Sequence, residues 1–76
     1  SPFTSSLYFD FFLPDDAKIT ISLYDSQGKL VADKSADFLR GENTLDLDNL
    51  DELPSGLYWY QLDAEGQILS GKTMKY

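Results

Sequence analysis

Residues 53–60, LPSGLYWY, constrain the fold more tightly than any other stretch of the chain. Pro54 fixes one backbone angle, and Ser55 with Gly56 permits a tight turn, so the chain reverses here before it extends. Tyr58, Trp59 and Tyr60 follow at once, and adjacent aromatics after a turn require a sheet. Alternation along a strand puts Tyr58, Tyr60 and Leu62 on one face and Leu57, Trp59 and Gln61 on the other. Tyr58, two residues past Gly56, is placed to return its hydroxyl to the backbone upstream, as tyrosine corners do at the entry to a penultimate strand. The three aromatics are therefore expected to serve the core and the corner, and their split between faces argues against one sugar-stacking platform.

The rest of the chain keeps a period of two. Leu7, Phe9, Phe11 and Leu13 share one face opposite Tyr8, Asp10 and Phe12, and Pro14, Asp15 and Asp16 end that strand. Ile19, Ile21 and Leu23 alternate with Thr20, Ser22 and Tyr24, and Asp25, Ser26, Gln27 and Gly28 form a turn in which Gly28 can take positive φ. A short third strand surrounds Leu30 and Val31. Residues 34–40, with Ala36, Phe38 and Leu39, fit either a brief edge strand or an irregular crossing. After a turn at Gly41, Leu45 and Leu47 alternate with Thr44, Asp46 and Asp48, and residues 49–52 lead into the corner. Residues 64–67 read as a hairpin turn, and residues 68–75 close the chain as a weakly alternating strand interrupted by Gly71. With no helical period, the expected fold is all-β: a small immunoglobulin-like antiparallel β-sandwich of about seven strands.

Seventy-six residues suffice for a single domain, expected over 1–76, and Ser1 is read as a cut made inside a longer protein. With no Cys there is no disulfide framework, so packing and strand pairing must hold the fold. A net charge of −7 with only six basic residues argues against the clustered Lys and Arg that phosphate contacts need, so no nucleic acid partner is expected. No apolar run reaches the roughly 18 residues of a helical membrane span. The absence of His and Cys removes the commonest general base, the thiol nucleophiles and the usual zinc ligands, so neither an enzyme nor a cofactor is expected. Asp46, Asp48, Asn49, Asp51 and Glu52 suggest a calcium loop, but Leu50 falls on a ligand position and the required Gly is missing, which leaves a solvated acidic loop and no metal site.

All thirteen acids precede Gly66, whereas the terminal segment carries Lys72 and Lys75. Lys on an edge strand guards it against pairing with other chains. A basic edge is also something a receptor can read, by charge or by adding a strand to its own sheet, and the two roles are compatible.

Taken together these landmarks resemble the type A C-terminal sorting domain of the type IX, or Por, secretion system of Bacteroidetes. SPFTSSLYFDFFLP keeps Pro2, Phe3, Phe11, Leu13 and Pro14 at the family's spacing. Tyr24, Asp25, Gly28, Lys29, Leu30 and Val31 match its second strand and turn. Gly41, the corner from Leu53 through Pro54 and Gly56 to Tyr58, and Lys72 with Met74 complete the order. The chain departs at Ser1, where Asn is usual, and at its end, where Thr73 and Met74 shorten an apolar run and Lys75 and Tyr76 follow.

The resemblance implies an address label at the end of exported cargo, passing through the periplasm to the cell surface or medium. It implies as partners an outer-membrane translocon, a sortase-like peptidase and a covalently linked N-terminal cargo domain. Gly56, Tyr58, Gly71, Lys72, Met74 and Lys75 are expected to carry recognition, with residues 68–75 offering main-chain groups and two positive charges. Pro2, Phe3, Leu13, Pro14, Tyr24, Asp25, Gly28 and Pro54 are expected to be structural. A carbohydrate-binding or adhesion accessory module, or a structural sandwich such as a flagellar hook-capping insert, is the competing expectation.

Overall fold

The computed structural model describes residues 3–76; Pro2, expected as a structural landmark, lies outside them. Six strands follow in order: β1 Leu7–Leu13, β2 Ala17–Tyr24, β3 Leu30–Phe38, β4 Gly41–Leu47, β5 Gly56–Ala64 and β6 Gln67–Lys75. They form an antiparallel sheet ordered β3-β2-β5-β6 and a smaller antiparallel pair β1-β4. The sandwich is thus four strands covered by two.

The alternation dictates which side chains meet between the sheets. Leu7 and Leu13 of β1, Leu45 and Leu47 of β4, Ile19, Ile21 and Leu23 of β2, and Tyr58 of β5 are all buried there. Burying each of the fully enclosed residues Ile21, Leu23, Leu45 and Leu50 contributes about 1.5–3 kcal/mol relative to exposure. Leu50 is part of this core although its acidic neighbours give it the look of a loop residue. Asn49 takes φ 61°, and the Leu50 amide donates to the Ser5 carbonyl at 2.9 Å, which turns the leucine inward.

Among the described residues the strand count is six, where about seven were expected. Residues 34–38 are the second half of β3, paired without interruption from Lys34 opposite Ile21 to Phe38 opposite Ala17. Neither face of that edge strand is well buried, so it carries no sharp alternation to read. The two sheets are tied at this side by Lys34, whose ammonium donates to the Asp46 carbonyl at 2.9 Å and lies 3.5 Å from its carboxylate.

Sheet twist makes β1 cross the larger sheet obliquely. Phe9 packs on Tyr60 of β5 with ring centroids 5.0 Å apart. Phe11, two residues on, packs edge-on against Phe38 of β3 at 5.2 Å. Towards Leu13, therefore, β1 has moved away from the β5-β6 hairpin.

Candidate functional site

The LPSG corner, the end of β6 and the segment around Phe3 meet at one end of the sandwich. Gly56 sits at φ 144°, a backbone conformation that a side chain strains, and this lets β5 leave the corner opposite Lys75. The Tyr58 hydroxyl donates to the Pro54 carbonyl at 2.5 Å, so the tyrosine corner is formed. Burial, and secondarily the Asp25 carboxylate, hold the Tyr58 phenol above its ordinary pKa of 10.0. Phe3 covers the Tyr58 ring in an edge-on contact at 5.8 Å. It also bridges β6 in parallel, with its amide donating to the Met74 carbonyl at 3.0 Å and the Tyr76 amide donating to its carbonyl at 3.1 Å.

The Asp25 turn stands beside this corner and lines a cleft with Pro54, Gly56 and Tyr58. Asp25 organises the turn through one carboxylate oxygen, which accepts from the amides of Gln27 and Lys29, both at 2.9 Å. Gly28 takes φ 83° and closes it. Tyr24, just before, pairs with Trp59 of β5. Phe3, Tyr24, Asp25, Gly28, Pro54, Gly56 and Tyr58, scattered along the sequence, are neighbours in space, whereas Leu13 is in the core and Pro14 in the β1–β2 turn.

Lys75 joins the clasp and is not displayed. It is only 7% exposed, and its ammonium donates to the carbonyls of Asp51 at 3.1 Å and Leu53 at 2.6 Å. The expectation of two positive charges offered to a receptor is corrected to one, because the unpaired loop carbonyls claim the second. Gly71 is structural for a different reason. The Tyr60 phenol lies over it, and a Cβ there would come within 2.6 Å of Tyr60 Cζ. The interruption of the last strand is thus the seat for an aromatic ring.

The members of the terminal motif that face solvent are Lys72 and Met74. Both lie on the outer face of the hairpin, where the register sets Lys72 opposite Trp59 and Met74 opposite Leu57. The Lys72 ammonium is 6.0 Å from the Trp59 ring centroid. Trp59 is 45% exposed and Met74 41%. Trp59 therefore does not serve the core with Tyr58 and Tyr60, and the three rings form no common platform. Its alternation against the two tyrosines was the signal for this placement.

A hydrogen-bonded clasp thus holds the hairpin whose outer face carries Lys72, Met74 and Trp59. The family model of the secretion system C-terminal sorting domain matches residues 1–75. Comparison with curated proteins and with solved structures gives no match. The order of landmarks, their convergence on the terminal hairpin and the whole-length match lead to one conclusion. This chain belongs to the secretion system C-terminal sorting domain family, whose members mark proteins for type IX export to the cell surface or the extracellular space.

Proposed function

We propose that the type IX machinery reads this domain on the outer face of the β5-β6 hairpin, through Lys72, Met74 and Trp59. The observation that supports the reading is the division within the terminal motif. Gly71 and Lys75 are occupied by Tyr60 and by loop carbonyls, whereas Lys72 and Met74 project from the sheet beside a half-exposed Trp59. Apolar side chains gathered on a surface with a single cation suit recognition by contact and charge.

In this reading residues 1–76 are one domain, an address label on an N-terminal cargo domain. The outer-membrane translocon is the reader, and a sortase-like peptidase acts on the linker between label and cargo. The domain contributes binding and no chemistry of its own. The test is a reporter fusion in a type IX-competent strain, comparing the domain with its Trp59→Ser, Lys72→Glu, Met74→Ser triple variant. Surface delivery is expected to fall while the purified variant keeps its melting temperature. Undiminished delivery would overturn the reading.

A further inference from the structure

The edge of β6 carries an unused docking line. Phe3 shows how that edge is used: its bridge takes the Met74 carbonyl and the Tyr76 amide. Alternate residues of a strand direct their N–H and C=O groups to the same side, and the β5-β6 register is unbroken. Ile68, Ser70 and Lys72 therefore direct their main-chain groups outward along the same edge. Among the described residues no strand pairs with it there.

Side chains tell the same story on the inner face. Phe3 covers Tyr58, which is 4% exposed, at one end of the edge. Leu69 points to the same face further along and is 63% exposed. The oblique path of β1 leaves it uncovered and opens a groove of about 630 Å³, floored by Leu13, Leu62 and Leu69. The groove lining includes Asp15, Asp16 and Glu65 and no Lys or Arg.

We propose that this edge and groove take an extended segment of a partner protein, with apolar side chains at alternate positions and Lys or Arg flanking them. The main chain of such a segment would pair with Ile68, Ser70 and Lys72, its apolar side chains would cover Leu69 and Leu62 as Phe3 covers Tyr58, and its cations would meet the acidic rim. A second copy of this chain is a poor occupant, because it brings a net charge of −7 to that rim. The inference deepens the reading of β6 as the strand presented to the export machinery by naming the chemistry of what it takes.

The test titrates the isotope-labelled full chain with two blocked nonapeptides of alternating Val and Thr, one flanked by Lys and one by Glu, followed by amide NMR. Saturable shifts at Ile68, Ser70 and Lys72 are expected with the Lys-flanked peptide, and binding about tenfold weaker with the Glu-flanked one. Ser70→Pro removes one outward N–H from an edge strand that tolerates proline, and Leu69→Ser removes apolar cover from an exposed site. Both are expected to abolish binding while leaving the remaining spectrum folded. No saturation up to about 1 mM, equal binding by Ser70→Pro, or concentration-dependent self-association in sedimentation would overturn the proposal. Absent peptide binding with export still dependent on Lys72 and Met74 refutes the edge inference alone. Peptide binding with export indifferent to those residues refutes the outer-face reading alone.

Discussion

The Lys75 ammonium donates to the Leu53 carbonyl at 2.6 Å and so fastens the last strand to the loop that opens the tyrosine corner. A second donation, to Asp51 at 3.1 Å, makes the lysine a crossbar between residues far apart in the chain. Lys75→Met keeps the length of the side chain and removes both bonds, leaving two carbonyls short of a partner. The expected loss is about 2 kcal/mol, or roughly 10 °C in melting temperature for a domain of this size. Thermal unfolding followed by circular dichroism reads it. A variant that melts like the parent yet fails in export would instead make Lys75 a receptor contact.

Tyr60 and Gly71 make a coupled pair, opposite each other in register and in contact face to face. Gly71→Ala forces the phenol off its seat and also disturbs the Phe9 ring, which packs at a tilt against Tyr60 with centroids 5.0 Å apart. The expected cost is about 1–3 kcal/mol, the usual range for overpacking. Because the clash is with the ring, Gly71→Ala should cost much less in a Tyr60→Ala background. A double-mutant cycle by urea denaturation measures that coupling, and additive effects would show that the glycine is needed for its backbone alone.

Most of the architecture was legible in the sequence because one face of each inner strand is apolar, and a period of two survives wherever a sheet has one buried side. Ile19, Ile21 and Leu23 and the Tyr58 corner belong to that class. Residues 34–38 were undecided because β3 is an edge whose faces are both partly wet, so pairing holds it and patterning does not mark it. At the site, alternation set Trp59 on the face opposite Tyr58 and Tyr60, although all three rings were expected to serve the core and the corner. The outer-face position of Lys72 comes from its register with Trp59. Lys75 was misjudged because a charge near a chain end suggests solvent, and the loop carbonyls that bury it come from residues 51 and 53. No local pattern announces a contact across that separation.

Lys72→Glu separates display from stability. Its side chain is exposed, and the Trp59 ring at 6.0 Å is its aromatic neighbour, so the reversal should change the unfolding free energy by no more than about 0.5 kcal/mol. Export of a fused reporter should nonetheless fall, since the reversal removes the cation that the outer face offers beside Trp59. Chemical denaturation and surface delivery, measured on the same variant, check the two halves independently. A large stability loss would mean that Lys72 holds the hairpin.

Ionisation of the Tyr58 hydroxyl contributes to the alkaline limit of the fold. Its phenol is held above the ordinary value of 10.0, first by burial and then by the Asp25 carboxylate, so the folded chain keeps its proton more firmly than the unfolded chain does. Stability from this group is therefore complete below pH 10 and disappears as pH rises through the higher folded value. Ionisation would also remove the donor to the Pro54 carbonyl and loosen the corner. Urea midpoints for the parent and for Tyr58→Phe, taken from about pH 9 to about pH 11.5, test this directly. At the low end the variant should be weaker by about 1 kcal/mol, the net worth of a hydrogen bond. As pH rises the parent should lose stability more steeply, so that the gap narrows. A gap of constant width would mean that Tyr58 does not contribute to the alkaline limit.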